Sequence, residues 1–216
     1  MSATDSVSVN IASYGPSNPR YLRRIRETLD KALNQHPRTL LLRFDLRLPT
    51  KDNLVYRDDP GLIKRFMGSL QAQIVADLRS KSRAGKRVHP TNVRYIWCRE
   101  FDRQQLQPHY HVALLLNKDA YAYPGCYKPT NGEYIHCLAV MIMEAWGRVL
   151  NLHAGGDYRP FYPLVEFPEN GYYHLDTHHP DFNRQYGEAI ARVDYLAKEY
   201  SKNNDDGLRN FGCSQC

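Results

Sequence analysis

No stretch of this 216-residue sequence approaches the roughly 20 consecutive apolar residues needed to cross a bilayer. Residues 1–10 lack the basic start and apolar centre of a secretory signal. A cytoplasmic protein with no membrane partner is the expectation. Cysteine is sparse: the five thiols at 98, 126, 137, 213 and 216 are odd in number and irregular in spacing, which excludes a disulfide framework and suits a reducing compartment. Cys213 and Cys216 form a CxxC without the second pair a closed zinc site needs, and read as part of a frayed tail. Neither an internal repeat nor a low-complexity linker divides the chain. One domain over 1–216 is expected, with its core at about 38–203 and with 1–17 and 204–216 frayed.

The charge is asymmetric, with 29 Lys and Arg against 23 Asp and Glu, a net of +6. Arginines gather at Arg20, Arg23, Arg24 and Arg26, and basic residues again from Arg79 to Arg87. A polyanion such as nucleic acid is the partner class this favours.

Hydropathy patterning predicts the elements. Asn18 followed by Pro19 predicts a capped helix to about Gln35, with Tyr21, Leu22, Ile25, Leu29 and Leu33 as its buried stripe. Arg38 to Leu48 alternates as a strand, placing Leu40, Leu42, Phe44, Leu46 and Leu48 on one face and Arg43, Asp45 and Arg47 on the other. Asp58, Asp59 and Pro60 open a helix running through Ile63, Phe66, Leu70, Ile74 and Leu78 to Gly85. Strands Val93 to Glu100 and His109 to Asn117 are close enough to be an antiparallel hairpin. Glu133 to Leu150 predicts a helix buried on most sides, Phe161 to Phe167 and Tyr172 to Leu175 short strands, and Asp181 to about Asn203 a final helix. Without regular βαβ alternation, this order predicts an α+β fold with an antiparallel sheet and packed helices.

The chemistry-bearing stretch is His109-Tyr110-His111. Strand residues i and i+2 project from one face, about 6.6 Å apart at 3.3 Å per residue, so both imidazoles can meet one ion. If the hairpin sets Glu100 opposite either histidine, its carboxylate joins them, about 5 Å from its partner. Two nitrogens and a carboxylate leave open positions, as a catalytic metal site requires, and the mixed donor set admits Mg²⁺, Mn²⁺ or Zn²⁺. On an ideal final helix, Tyr186, Ile190, Val193, Ala197 and Tyr200 form the core stripe, while Tyr195 lies almost opposite and shares its side with Lys198 and Lys202. A phenol is a poor nucleophile near neutrality and needs cationic help, which Lys198 and a metal can both supply. Tyrosine attack on a metal-polarised phosphodiester conserves the bond as a phosphotyrosine, a chemistry suited to nicking and rejoining DNA.

With Trp97-Cys98-Arg99-Glu100-Phe101, Pro108-His109-Tyr110-His111-Val112 and Asp194-Tyr195-Leu196-Ala197-Lys198 in this order, the chain resembles the HUH endonucleases, the rolling-circle initiators and relaxases. More narrowly it resembles the inovirus-type replication initiator proteins found in prophages as the YagK/YfjJ-like family, from about Leu40 to Lys202. The resemblance implies the HUH endonuclease, RRM-like architecture: a central antiparallel sheet of about five strands with flanking helices, the metal under one sheet face and the tyrosine helix across it. It implies that Tyr195, assisted by Lys198, attacks single-stranded DNA at a replication origin, holds the 5′ phosphate and releases a 3′ hydroxyl, with Glu100, His109 and His111 holding Mg²⁺ or Mn²⁺. Tyr195 and Tyr200 are five residues apart and face differently, which argues for a single-tyrosine enzyme. No GxxxxGK[ST] loop is present, so strand separation falls to a host helicase. Arg43, Arg47 and Lys202 are the expected phosphate contacts, Arg43, Asp45 and Arg47 having a role in metal-shell support as the alternative. Tyr121, Tyr123 and Tyr127 are the expected base-stacking residues. Two competing readings are a non-catalytic DNA-binding regulator on the same fold and a metal protein built on His174, His178 and His179.

Overall fold

In the computed structural model, residues 15–49, 56–101, 107–153 and 155–215 are described. The hairpin loop expected from Phe101 to Pro108 lies mostly outside them, at 102–106, as does Cys216. The elements run α1 (Pro19–Gln35), β1 (Arg38–Arg47), α2 (Leu62–Arg83), β2 (Arg94–Phe101), β3 (Pro108–Asn117), α3 (Leu138–Val149), β4 (Val165–Glu166), β5 (Tyr172–Asp176), α4 (Phe182–Asp194) and β6 (Phe211–Cys213). All strand pairs are antiparallel. The order is β4-β1-β3-β2-β6, with β5 pairing β1 further along the edge that β4 occupies.

Alternation on the central strands makes two cores. Leu40, Leu42, Phe44 and Leu46 of β1, with Tyr110, Val112, Leu114 and Leu116 of β3, pack under α2 and α3. Leu41, Ala113, Leu115, Ile96 and Cys98 face the other way, under α1 and α4. A strand covered on both faces needs this nearly unbroken apolar run. Asn18 caps α1, its Oδ1 accepting the N–H groups of Arg20 and Tyr21 at 3.0 and 3.3 Å, worth about 1 kcal/mol.

Four sequence expectations are corrected. The third helix begins at Leu138 rather than Glu133, because Thr130 and Glu133 instead close a small bridge. Pro160 and Pro163 turn most of 161–167 into a 3₁₀ segment, Arg159–Leu164, leaving a two-residue strand. The last helix ends at Asp194, followed by a 3₁₀ turn, Tyr195–Ala197, so Tyr200 leaves the core and is 75% exposed. The 204–215 tail is not frayed throughout: β6 pairs β2 over Ile96–Cys98. Gly212 permits this, since a Cβ there would lie 2.6 Å from the Trp97 indole.

Candidate metal centre and tyrosine

Register brings the site together at one end of the sheet. Glu100 lies opposite His109 on the β2–β3 ladder, Cys98 opposite His111, and Asp45 of β1 opposite His111 from the other side. All five residues project to the α1/α4 face. His109 Nε2 is 3.1 Å from His111 Nε2, which is 3.3 Å from Glu100 Oε2. One donor atom from each of the three lies within 4.8 Å of the others, the one such group of three among the described residues. Two ligands each about 2.1 Å from a shared ion would stand roughly 3.0–3.4 Å apart, so these edges fit a divalent cation.

A buttress lies behind the ligands. Asp45 Oδ1 is 2.6 Å from His111 Nδ1, and Arg43 Nη1 is 3.2 Å from the same oxygen while donating to the carbonyls of Val112 and Phe44 at 2.9 and 3.2 Å. Asp45 therefore fixes a proton on Nδ1 and turns Nε2 towards Glu100 and His109. Cys98, which lies two residues before Glu100 on the same strand face, donates its thiol to Glu100 Oε1 at 3.4 Å. Strand alternation is the sequence signal that puts Cys98 on the face of Glu100, whereas cysteine spacing, which reports disulfides and zinc sites, is silent on it.

The fourth wall is the chain after α4. A two-bond contact from Arg26 to Asp194, at 3.0 and 2.9 Å, ties the end of α4 to α1. The N–H of Asn18 donates to Ala197 O at 2.8 Å, and Phe101 N–H donates to Ser201 O at 2.9 Å. Further on, buried Arg99 holds Asp206 and Asn210 against β2. So held, Tyr195 sets its ring 5.8 Å from that of His111. The Lys198 ammonium donates to the Tyr195 hydroxyl, lies 3.6 Å from its ring centroid, and is 2.9 Å from Glu100 Oε2. Tyr195 and Lys198 thus meet as expected, by a 3₁₀ turn and an extended Lys198 rather than by one face of a continuing helix.

Charge follows this geometry. Burial disfavours the Glu100 carboxylate, yet contacts with His111 and Lys198 outweigh it and hold the group well below the ordinary range. His111 is likewise raised, because Asp45 and Glu100 outweigh its burial. Lys198 is raised by Tyr195 and Glu100 against its own burial. Burial, then the nearby His111, push His109 down from 6.5 to about 4. Because folded His109 resists the proton that the unfolded chain accepts below about 6.5, its contribution to stability falls as pH drops through the window from 6.5 to about 4. Metal-free His109→Phe is expected to lose that part of the acid slope in chemical denaturation at stepped pH; an unaltered slope would place the titration elsewhere.

Of the other expected site residues, Arg43, Lys202 and Tyr121 are placed differently. Arg43 is 3% exposed and engaged internally, so it is a buttress and not a phosphate contact. Lys202 is also no surface contact: its buried ammonium bonds Lys198 O and stands 3.8 Å from Glu100 Oε1. Tyr121 is 6% exposed and donates to Asp77 at 2.6 Å, which removes it from base stacking. Arg47 is exposed and paired with Glu166, while Tyr123 and Tyr127 are exposed. His174, with Nε2 2.6 Å from Ala122 O, joins no three-ligand group among the described residues.

An open antiparallel α+β sheet thus carries a candidate metal-binding triad beside a lysine-bonded tyrosine. The chain belongs to the YagK/YfjJ C-terminal domain family, which it matches over residues 2–214. It is 38% identical to the uncharacterized protein YagK of Escherichia coli strain K12 over 202 residues, 90% of this chain and 92% of that protein. It is 32% identical to the uncharacterized protein YfjJ of the same strain over 212 residues, 94% of this chain and 98% of that one. No solved structure matches. Among the described residues, no helix is long and apolar enough to cross a membrane.

Proposed function

We propose that this protein is a metal-dependent nicking and joining enzyme for single-stranded DNA, of the HUH endonuclease type, which starts rolling-circle replication of a phage or prophage through Tyr195. The observation that carries this reading is the convergence of Glu100, His109 and His111 beside a Lys198 ammonium that contacts both Glu100 and the Tyr195 hydroxyl. Glu100, His109 and His111 would hold Mg²⁺ or Mn²⁺, with Zn²⁺ also compatible with the donors. When bound, the ion supplies Lewis-acid polarisation of a phosphoryl oxygen. Lys198 stabilises developing phenolate character at Tyr195 Oη, which forms the new bond to phosphorus as the bond to the 3′ oxygen breaks. The proton lost by the phenol is balanced by one taken up at the departing oxygen, leaving a 5′-phosphotyrosine and a 3′ hydroxyl. Arg47 at the rim, with Arg20 and Arg23 exposed on α1, would meet backbone phosphates. A helicase partner would supply the unwinding.

The test is incubation with origin-like single strands and Mn²⁺, followed by denaturing electrophoresis. A tyrosine-linked species is expected; salt-sensitive binding without it would favour a non-catalytic DNA-binding regulator. The buttress has its own test. Asp45→Asn should weaken Mn²⁺ binding by roughly 10–100-fold, the usual cost of losing a ligand's outer partner. Calorimetry showing unchanged affinity would leave Asp45 without that role.

A further inference from the structure

A second feature lies on the outer edge of the sheet. Tyr123 is 56% exposed and Tyr172 is 42% exposed, and their rings meet edge to face with centroids 5.5 Å apart. His174 completes the group, 5.1 Å from Tyr123 and 5.6 Å from Tyr172, its ring anchored on Ala122 O. Exposed aromatics scattered singly need no explanation, whereas three in mutual contact form a patch. Beside them a cleft of about 470 Å³ opens between β5 and the first half of α4, lined by Asn170, Tyr172, His174, Arg184, Gln185 and Glu188.

Its chemistry is that of a flat ligand with a polar rim. Tyr172 offers a ring to stack on, while Asn170 and Gln185 offer amide donors and acceptors. Arg184, held between Asp181 at 3.2 Å and Glu188 at 2.9 Å, fixes a cation at the mouth. A nucleobase has this combination of an apolar face and a hydrogen-bonding edge, but only when unstacked and unpaired. Along α4, Glu188 at the cleft precedes Tyr195 by seven residues, about 10 Å of axial rise at 1.5 Å per residue.

We propose that the cleft between β5 and α4 is a nucleobase subsite, in which Tyr172, held edge-on by Tyr123, stacks an unpaired base of a bound single strand. This rests on the reading that the protein handles single-stranded DNA. A second copy of the chain adding to the outer edge of β5 is the competing occupant.

The experiment compares wild type, Tyr123→Ala/Tyr172→Ala and Tyr123→Phe/Tyr172→Phe for a short dye-labelled single strand, by fluorescence anisotropy over a salt series. The alanine pair should bind roughly 5- to 150-fold more weakly, the range for losing one stacked base, with an unchanged salt dependence because no phosphate contact is lost. The phenylalanine pair should bind like wild type, which separates stacking from folding. Photo-crosslinking of a strand carrying 5-iodouracil should mark Tyr123, Tyr172 or His174. Equal binding by the alanine pair, or crosslinks confined to other residues, overturns the subsite and leaves the nuclease reading standing. Conversion of a wild-type dimer into a monomer by the alanine pair overturns it in favour of self-association. A wild-type protein that binds no single strand removes both readings.

Discussion

Tyr195→Phe is expected to abolish the denaturation-resistant protein–DNA species while single-strand binding persists. The phenylalanine ring keeps the contact with His111 and its place beneath the Lys198 ammonium, and only Oη is lost. Because the proposed covalent bond forms at that atom, adduct formation should fall by orders of magnitude, as it does when a covalent nucleophile is removed. Tyr200, five residues on and exposed, is the comparison: Tyr200→Phe should leave the adduct intact. An adduct that survives Tyr195→Phe would remove Tyr195 from the mechanism.

Glu100→Ala should have the largest effect on stability. The carboxylate is 1% exposed and has Lys198 at 2.9 Å, His111 at 3.3 Å and Lys202 at 3.8 Å. Its removal leaves positive groups buried without their counter-ion, a change that costs about 3–5 kcal/mol. For a chain of this size that corresponds to a melting temperature lower by roughly 6–20 °C. The sign with pH follows from the depressed Glu100 group: its stabilisation is present above the unfolded carboxylate range and is lost as acidification protonates the folded group. The deficit of the variant should therefore be full at neutral pH and shrink in strong acid. A melting temperature equal to that of wild type at neutral pH would mean that the ammonium groups escape to solvent and that the pocket is not closed around Glu100.

Much of the site was legible because strand alternation is local. The period of two in Arg38–Leu48 and His109–Leu116 separates the core face from the face of Asp45, His109 and His111. A short connection after Phe101 then puts Glu100 beside the histidines, whichever of the two it opposes. The tyrosine was legible for a different reason. Its avoidance of the apolar stripe Tyr186, Ile190 and Val193 marked it, even though the ideal helix from which that was read stops at Asp194.

Less legible were residues whose roles depend on partners far away in the chain. Arg43 reads in sequence as either a phosphate contact or a support of the metal shell and Lys202 as a surface cation, and both side chains are buried on internal acceptors. Tyr121 looks like its neighbour Tyr123, but one donates to Asp77 inside the core and the other lies at the surface. Periodicity cannot separate these cases, since it states which face a residue takes and not what covers that face.

The amino-acid sequence by itself determined the antiparallel α+β sheet, the two-sided burial of β1 and β3, and the grouping of Glu100, His109 and His111, because each follows from contacts between neighbouring strands. Only the tertiary structure decided the closing of the site by the segment from Tyr195 to Lys202, the choice of metal-shell support over phosphate contact for Arg43, and the docking of β6. These depend on long-range pairings, Arg26 with Asp194, Asn18 with Ala197 and Arg99 with Asp206, whose formation is governed by three-dimensional packing that no local pattern encodes.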